Sequence, residues 1–164
     1  MTRPLTVSDS TVVSAPPDVI YAQVADPSQM PRWSPENVGG EVPAPGSPLS
    51  VGDTFVGTNK RGPARWSTRC VVTTADPGRE FAFQVRQIGL RNPRLGERIA
   101  TWAYTFEPVA GGTRVTETWT DNRRWPDGVT AAFDKLVTRG HHFHQFQQRN
   151  IATTLKRMKA DFEA

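Results

Sequence analysis

From Thr54 onward, apolar and polar residues alternate with a period of two. Trp66, Thr68, Cys70 and Val72 interleave with Arg65, Ser67, Arg69 and Val71. Phe81, Phe83 and Val85 interleave with Ala82, Gln84 and Arg86, and Trp102, Tyr104 and Phe106 with Thr101, Ala103, Thr105 and Glu107. This pattern predicts an antiparallel sheet with one face buried and the other in water. Ala110-Gly111-Gly112 predicts a short hairpin into a last strand from Thr113 to Thr120. Upstream, Thr6 to Ser14 reads as a β-branched first strand stopped by Ala15-Pro16-Pro17. Pro17 and Asp18 suit a helix start, and Val19, Ile20 and Val24 give the helix from Pro17 to Ala25 an apolar stripe. Asp26-Pro27 breaks it, and Trp33 follows, held between Pro31 and Pro35. Asn37 to Val42 reads as a short strand, and Pro43 to Pro48 as a stiff loop.

The last forty residues change character. Asp127-Gly128 opens an irregular or short helical piece through Ala131, Phe133 and Leu136, and a longer helix runs to the C-terminus. Ile151, Leu155, Met158 and Phe162 form one apolar stripe, with Lys156, Arg157, Lys159 and Glu163 toward water. Extended backwards at about 100° per residue, that face takes in Gln148, Gln147, His144 and Gly140. A solid core has no use for such a half, because buried amides and imidazoles need partners. A helix lining a hydrated or ligand-filled cavity does, with Gly140 removing side-chain volume. The competing reading starts the helix near Arg149 and leaves His141 to Gln148 in a loop.

Composition narrows the function. A chain of 164 residues with 37% apolar and 22% charged positions is one ordinary globular domain, 1–164. Fourteen prolines and thirteen glycines fall between elements, as strand punctuation rather than disorder. No apolar run approaches the ~20 residues of a membrane span, and Met1-Thr2-Arg3-Pro4 lacks the apolar stretch of a secretory signal. A cytoplasmic location is the expectation. The single Cys70 rules out an internal disulfide and zinc-type cysteine spacing. The net charge of +4 is scattered over Arg86, Arg91, Arg94, Arg98, Arg123-Arg124 and Lys156-Arg157-Lys159. No nucleic-acid-binding motif accompanies it, which argues against sequence-specific nucleic-acid binding. Peripheral contact with anionic ligands or membrane surfaces stays compatible with that charge. Without Gly-x-Ser-x-Gly, a P-loop or Gly-x-Gly-x-x-Gly, no hydrolase, kinase or nucleotide cofactor is indicated, and no cofactor is expected.

Candidate chemistry centres on Glu117 and His144. Strand alternation sends Glu117 inward between Val115 and Trp119, where an unpaired carboxylate is disfavoured and its pKa should rise. It could donate or accept a proton, or anchor a ligand, and His144 could do the same from the helix. The competing reading leaves Glu117 near a sheet end or paired with an arginine, and His144 structural. His141 and His144 at i, i+3 lack a third ligand for zinc, so no metal site is expected. Trp66, Trp102 and Tyr104 point inward as candidate cavity walls, whereas Trp33 reads as a structural anchor and Cys70 as inert packing. Arg91, Arg94 and Arg98 could gate a cavity mouth or be plain loop surface.

Asp26 with Trp33-Ser34-Pro35, then Gly52-Asp53-Thr54-Phe55, then Trp66 with Asp76-Pro77-Gly78-Arg79, then Trp102 to Glu117, come in a telling order. That order resembles the polyketide cyclase/dehydrase and lipid-transport branch of the START-like (SRPBCC) superfamily, over nearly the whole chain. The resemblance implies an α+β helix-grip fold: a curved antiparallel sheet around a long C-terminal helix, with two short helices after the first strand. It also implies a cavity for an apolar or amphipathic small molecule such as a lipid, polyketide or isoprenoid. Glu117, His144, Gln147 and Gln148 would set its orientation, with Trp66, Trp102, Tyr104 and Gly140 completing the site. Polyketide cyclase or dehydratase activity through Glu117 or His144 is the alternative, and a protein-interaction module using the basic surface is a third.

Overall fold

The computed structural model describes residues 5–90, 98–138 and 140–164. Its order is β1 (Thr6–Val13), α1 (Pro17–Val24), a 3₁₀ helix (Pro27–Arg32), β2 (Asn37–Glu41), β3 (Thr54–Arg61), β4 (Ala64–Asp76), β5 (Glu80–Gly89), β6 (Ala100–Val109), β7 (Gly112–Asp121), α2 (Asp127–Val137) and α3 (Phe143–Phe162). The strands form one sheet in the order β1-β7-β6-β5-β4-β3-β2, antiparallel throughout. This is the expected helix-grip architecture, and the strand boundaries fall within about a residue or two of those read from the sequence.

Local chemistry explains the turns. The Asp26 carboxylate caps the 3₁₀ helix, accepting from Ser28 N at 3.1 Å and from Ser28 Oγ at 2.6 Å. It also accepts from Gly46 N at 2.9 Å and so ties down the proline-rich loop. In the β6–β7 hairpin Gly112 has φ 141°, and a Cβ there would lie 2.0 Å from the Val13 carbonyl oxygen. Only glycine lets β1 and β7 approach so closely. Two register shifts interrupt the ladder between β4 and β5, at Arg69/Cys70 and Val72/Thr74, where bulges increase local twist.

The core gathers where α3 meets the sheet. Ile151, Leu155 and Met158 are buried against Val13, Val115 and Trp119 in one cluster. α3 packs chiefly on β1 and β7 rather than across the sheet centre. α3 therefore leaves much of the concave face of β3 to β6 uncovered, and α1 packs on part of β5 and β6. That asymmetry leaves a hollow.

Candidate functional site

The hollow measures about 420 Å³ and lies between the concave face and α3. Alternation along the strands supplies its apolar wall: Trp66 and Cys70 from β4, Phe83 and Val85 from β5, Trp102 from β6. Met30 of the 3₁₀ helix, Phe133 of α2 and Phe143 of α3 close other sides.

Glu117 and Tyr104 make one polar pole. They are direct register partners on β7 and β6, so their side chains leave the same face side by side. Both line the hollow and both are almost fully buried, at 2% exposure each. The Tyr104 hydroxyl donates to Glu117 Oε1 at 2.8 Å. Glu117 Oε2 is buried with no hydrogen-bond partner. Burial pushes the Glu117 carboxyl up to about 8, the Tyr104 bond only partly opposing it. The Tyr104 hydroxyl rises well above its ordinary value through burial and the neighbouring carboxyl.

A second pole stands where β2, β3 and α3 meet. Arg61 donates to Glu36 Oε1 from Nε at 3.0 Å and from Nη2 at 2.5 Å. Its guanidinium lies 3.5 Å from the Phe146 ring centroid and 5.4 Å from that of Trp66. Asn150 bonds Glu36 and donates to Gln147 Oε1 at 3.1 Å. Burial raises the Glu36 pKa, against the lowering pull of Arg61 and Asn150. Arg61, Glu36, Gln147 and Asn150 all border the hollow.

The third polar group is an ion cluster at the end of β7. Arg123 grips Asp121 through Nε to Oδ1 at 2.9 Å and Nη2 to Oδ2 at 2.8 Å. Its Nη1 reaches Asp134 Oδ1 at 2.8 Å, and Asp134 Oδ2 accepts from the Phe143 backbone N at 3.1 Å. Burial alone would lower the Arg123 pKa, but the bonds to both carboxylates outweigh it and hold it above its ordinary value. One buried arginine thus joins the sheet, α2 and the start of α3.

Of the residues singled out from the sequence, Trp66, Trp102, Tyr104, Glu117 and Gln147 lie around the hollow. Gly140, Gln148 and His144 do not border it. Gly140 is exposed in the loop before α3 with φ 102°, and His142 at the helix N-cap is extended. The helical phase therefore cannot be carried back past Phe143, and the start near Arg149 is also superseded. Gln148 is exposed, one helical step away from Gln147. The His144 ring stacks on His142 at 5.5 Å, and burial and then His142 lower its pKa. Glu117 and His144 do not form a couple across the hollow. Trp33 is fully buried, donates from Nε1 to Asp161 Oδ2 at 2.9 Å and stacks on Phe162. Burial drives the Cys70 thiol up to about 12, so it is no nucleophile. Arg98 is exposed, and Arg91 and Arg94 lie outside the described residues. Among the described residues no three His, Cys, Asp or Glu side chains come together as a metal set.

Sequence reading missed Glu36, Arg61, Asn150, Arg123 and Asp134. Each is an ordinary polar residue in its own segment, and only tertiary contact makes it part of a wall. The one local signal was Asp121-x-Arg123, a spacing in which the arginine can fold back onto the aspartate.

Comparison with known proteins agrees with this architecture. The sequence matches the family model described as polyketide cyclase / dehydrase and lipid transport over residues 4–163. No curated protein matches the sequence. Among solved structures, a Polyketide_cyc-like protein from Corynebacterium glutamicum shares 27% identity at a TM-score of 0.58, with 99% of this chain and 94% of that one covered. A Mycobacterium smegmatis protein shares 21% identity at a TM-score of 0.64, covering 97% and 91%. The di-domain ARO/CYC StfQ of the steffimycin biosynthetic pathway superposes at a TM-score of 0.68 and 16% identity. That match covers 97% of this chain and 50% of StfQ.

Proposed function

The chain belongs to the polyketide cyclase / dehydrase and lipid transport family, and from that premise we propose that it binds an apolar or amphipathic small molecule between its sheet and α3. Lipids, polyketides and isoprenoids are the candidate classes. The observation that carries this reading is the hollow itself, about 420 Å³, with a largely aromatic and aliphatic surface and polar groups gathered at its poles. A volume of that order suits a small organic ligand. Trp66 and Trp102 offer flat apolar surface for affinity, while Tyr104, Glu117 and Gln147 supply direction. Native mass spectrometry of protein purified without denaturant, followed by organic extraction, tests it. A stoichiometric adduct of an apolar compound is the expected result. A bare chain mass that stays unshifted when lipids and aromatic ketones are added would refute it.

One observation favours a second reading, cyclase or dehydratase chemistry. The free Oε2 of Glu117, on a carboxyl titrating near 8, can take a proton from a carbon next to a carbonyl and return it elsewhere. His144 drops out of this reading because it stands away from the hollow. Glu117→Gln should then abolish turnover of a poly-ketone while leaving its binding intact.

A further inference from the structure

We infer that Glu117 Oε2 is a hydrogen-bond donor kept for an uncharged oxygen acceptor, such as a ketone or ester carbonyl, at the inner end of the ligand. This rests on the binding reading above and adds the residue and the chemistry that select the ligand.

The geometry fixes which oxygen is left over. Oε1 already accepts from the Tyr104 hydroxyl at 2.8 Å. Oε2 has no partner, sits on a side chain 2% exposed and borders the hollow. A buried polar atom without a partner is costly, and native structures hold few of them. A ligand group is the natural partner for one that borders a cavity. With Oε1 accepting, the acidic hydrogen of the neutral carboxyl belongs on Oε2, directed at the ligand.

The surroundings keep this carboxyl neutral. Its neighbour on β6 is Tyr104, a donor without charge. Its register partner on β1 is Asp9, which is exposed to water and is an acid, not a counter-ion. From α3 the buried residues are Ile151, Thr154, Leu155 and Met158, all uncharged. Met30 Sδ lies 3.8 Å from the Tyr104 hydroxyl on the side of the 3₁₀ helix. Of the cations bordering the hollow, Arg61 pairs with Glu36 and Arg123 with Asp121 and Asp134, while Arg65 is exposed to water at the start of β4. Burial accordingly outweighs ionisation up to about pH 8. A carboxylate-headed ligand would meet a second acid here and is disfavoured at this end. A carbonyl oxygen completes the pair.

Prodan, a naphthalene ketone, and the same dimethylaminonaphthalene without its propionyl group form a matched pair of fluorescent probes. Each is titrated into the wild-type protein, Glu117→Leu and Glu117→Gln, below and above about pH 8, with circular dichroism following the fold of each variant. Below that pH the wild type should hold the ketone about tenfold tighter than its analogue. Above it, ionisation removes the donor and the preference should collapse. Glu117→Leu should bind both probes alike at either pH. Glu117→Gln should keep the preference at both, because its amide still donates and does not titrate. A wild type indifferent to the ketone, or a preference that survives in Glu117→Leu or grows with pH, overturns the inference and leaves the cavity reading intact. Failure of the wild type to bind either probe overturns both.

Discussion

Arg123 and Asp134 meet at 2.8 Å, both buried, and the other oxygen of Asp134 accepts the first backbone N–H of α3. α2 is thereby pinned to the end of β7 and to the helix that follows it. Asp121 grips the same guanidinium, so two carboxylates share one cation.

That imbalance sets an order of mutational costs. Replacing Arg123 takes the guanidinium away from two buried acids, whereas replacing Asp134 keeps the Arg123–Asp121 pair. Arg123→Met should therefore cost about 3–5 kcal/mol of stability and Asp134→Asn only about 1–2 kcal/mol. Urea unfolding of both variants decides it, and equal costs for the two would refute the arrangement.

Glu117 gives a stability change of its own with pH. Its folded pKa is raised from 4.5 to about 8, so folding takes up a proton between those values. A group raised in this way contributes fully below its unfolded pKa and loses its contribution as pH climbs through the window to about 8. The loss should amount to a few kcal/mol. Glu117→Gln lacks the proton and should show a flatter profile, so the stability difference between the two proteins should swing in favour of Gln toward pH 9. Other titrations are common to both and cancel. Parallel unfolding midpoints from pH 4 to 9 would contradict the burial of this carboxyl.

Three tryptophans separate packing from binding. Trp33 is fully buried and bonded to Asp161, while Trp66 and Trp102 are half-buried and face the hollow. Trp33→Ala should cost about 3–5 kcal/mol, as for other large core deletions. Arg32→Ala, which removes a half-exposed ion pair with Asp161, should cost no more than about 1 kcal/mol. Trp66→Ala and Trp102→Ala should cost less stability than Trp33→Ala but weaken prodan binding about tenfold or more. Calorimetry and fluorescence titration on the same preparations separate the two quantities. A Trp102→Ala variant that unfolds like Trp33→Ala would place Trp102 in solid core.

The different fates of these residues show what a sequence can reveal. Period-two alternation is local and strong, so it placed the strands and turned Trp66, Trp102, Tyr104 and Glu117 inward. The apolar stripe of α3 was equally legible from Ile151 onward. Its backward extension failed at Gly140 because the helix begins only at Phe143, after the extended His142, and at Gln148 and His144 because these α3 residues do not border the hollow. Arg61, Glu36 and Asn150 come from three separate elements, so no local pattern could assemble them. Neither could alternation show that Tyr104 and Glu117 are register partners, which depends on how the hairpin turn sets the pairing.

The first two turns of α3 offer the last test. Its fully buried side chains begin at Ile151. Ahead of that point the helix is held by Asp134 at the Phe143 N–H, by Arg61 lying over Phe146, and by Glu36 bonding Asn150. The Phe143 ring also meets Phe133 and Arg123, but the fully buried side chains of α3 lie beyond this stretch, and segments with few buried apolar contacts open at low free energy. Arg61→Met removes the ring contact and leaves Glu36 partly buried without its cation. Arg61→Lys keeps the charge but neither the flat face over Phe146 nor the two-pronged grip on Glu36, so it should not rescue. In both variants hydrogen exchange should speed about tenfold or more at amides 146–150 and stay unchanged at 154–160. The Arg61 contact joins the end of β3 to this half of the helix, so a helix that loosens evenly would contradict a local attachment, and full protection in Arg61→Lys would mean that charge alone does the holding.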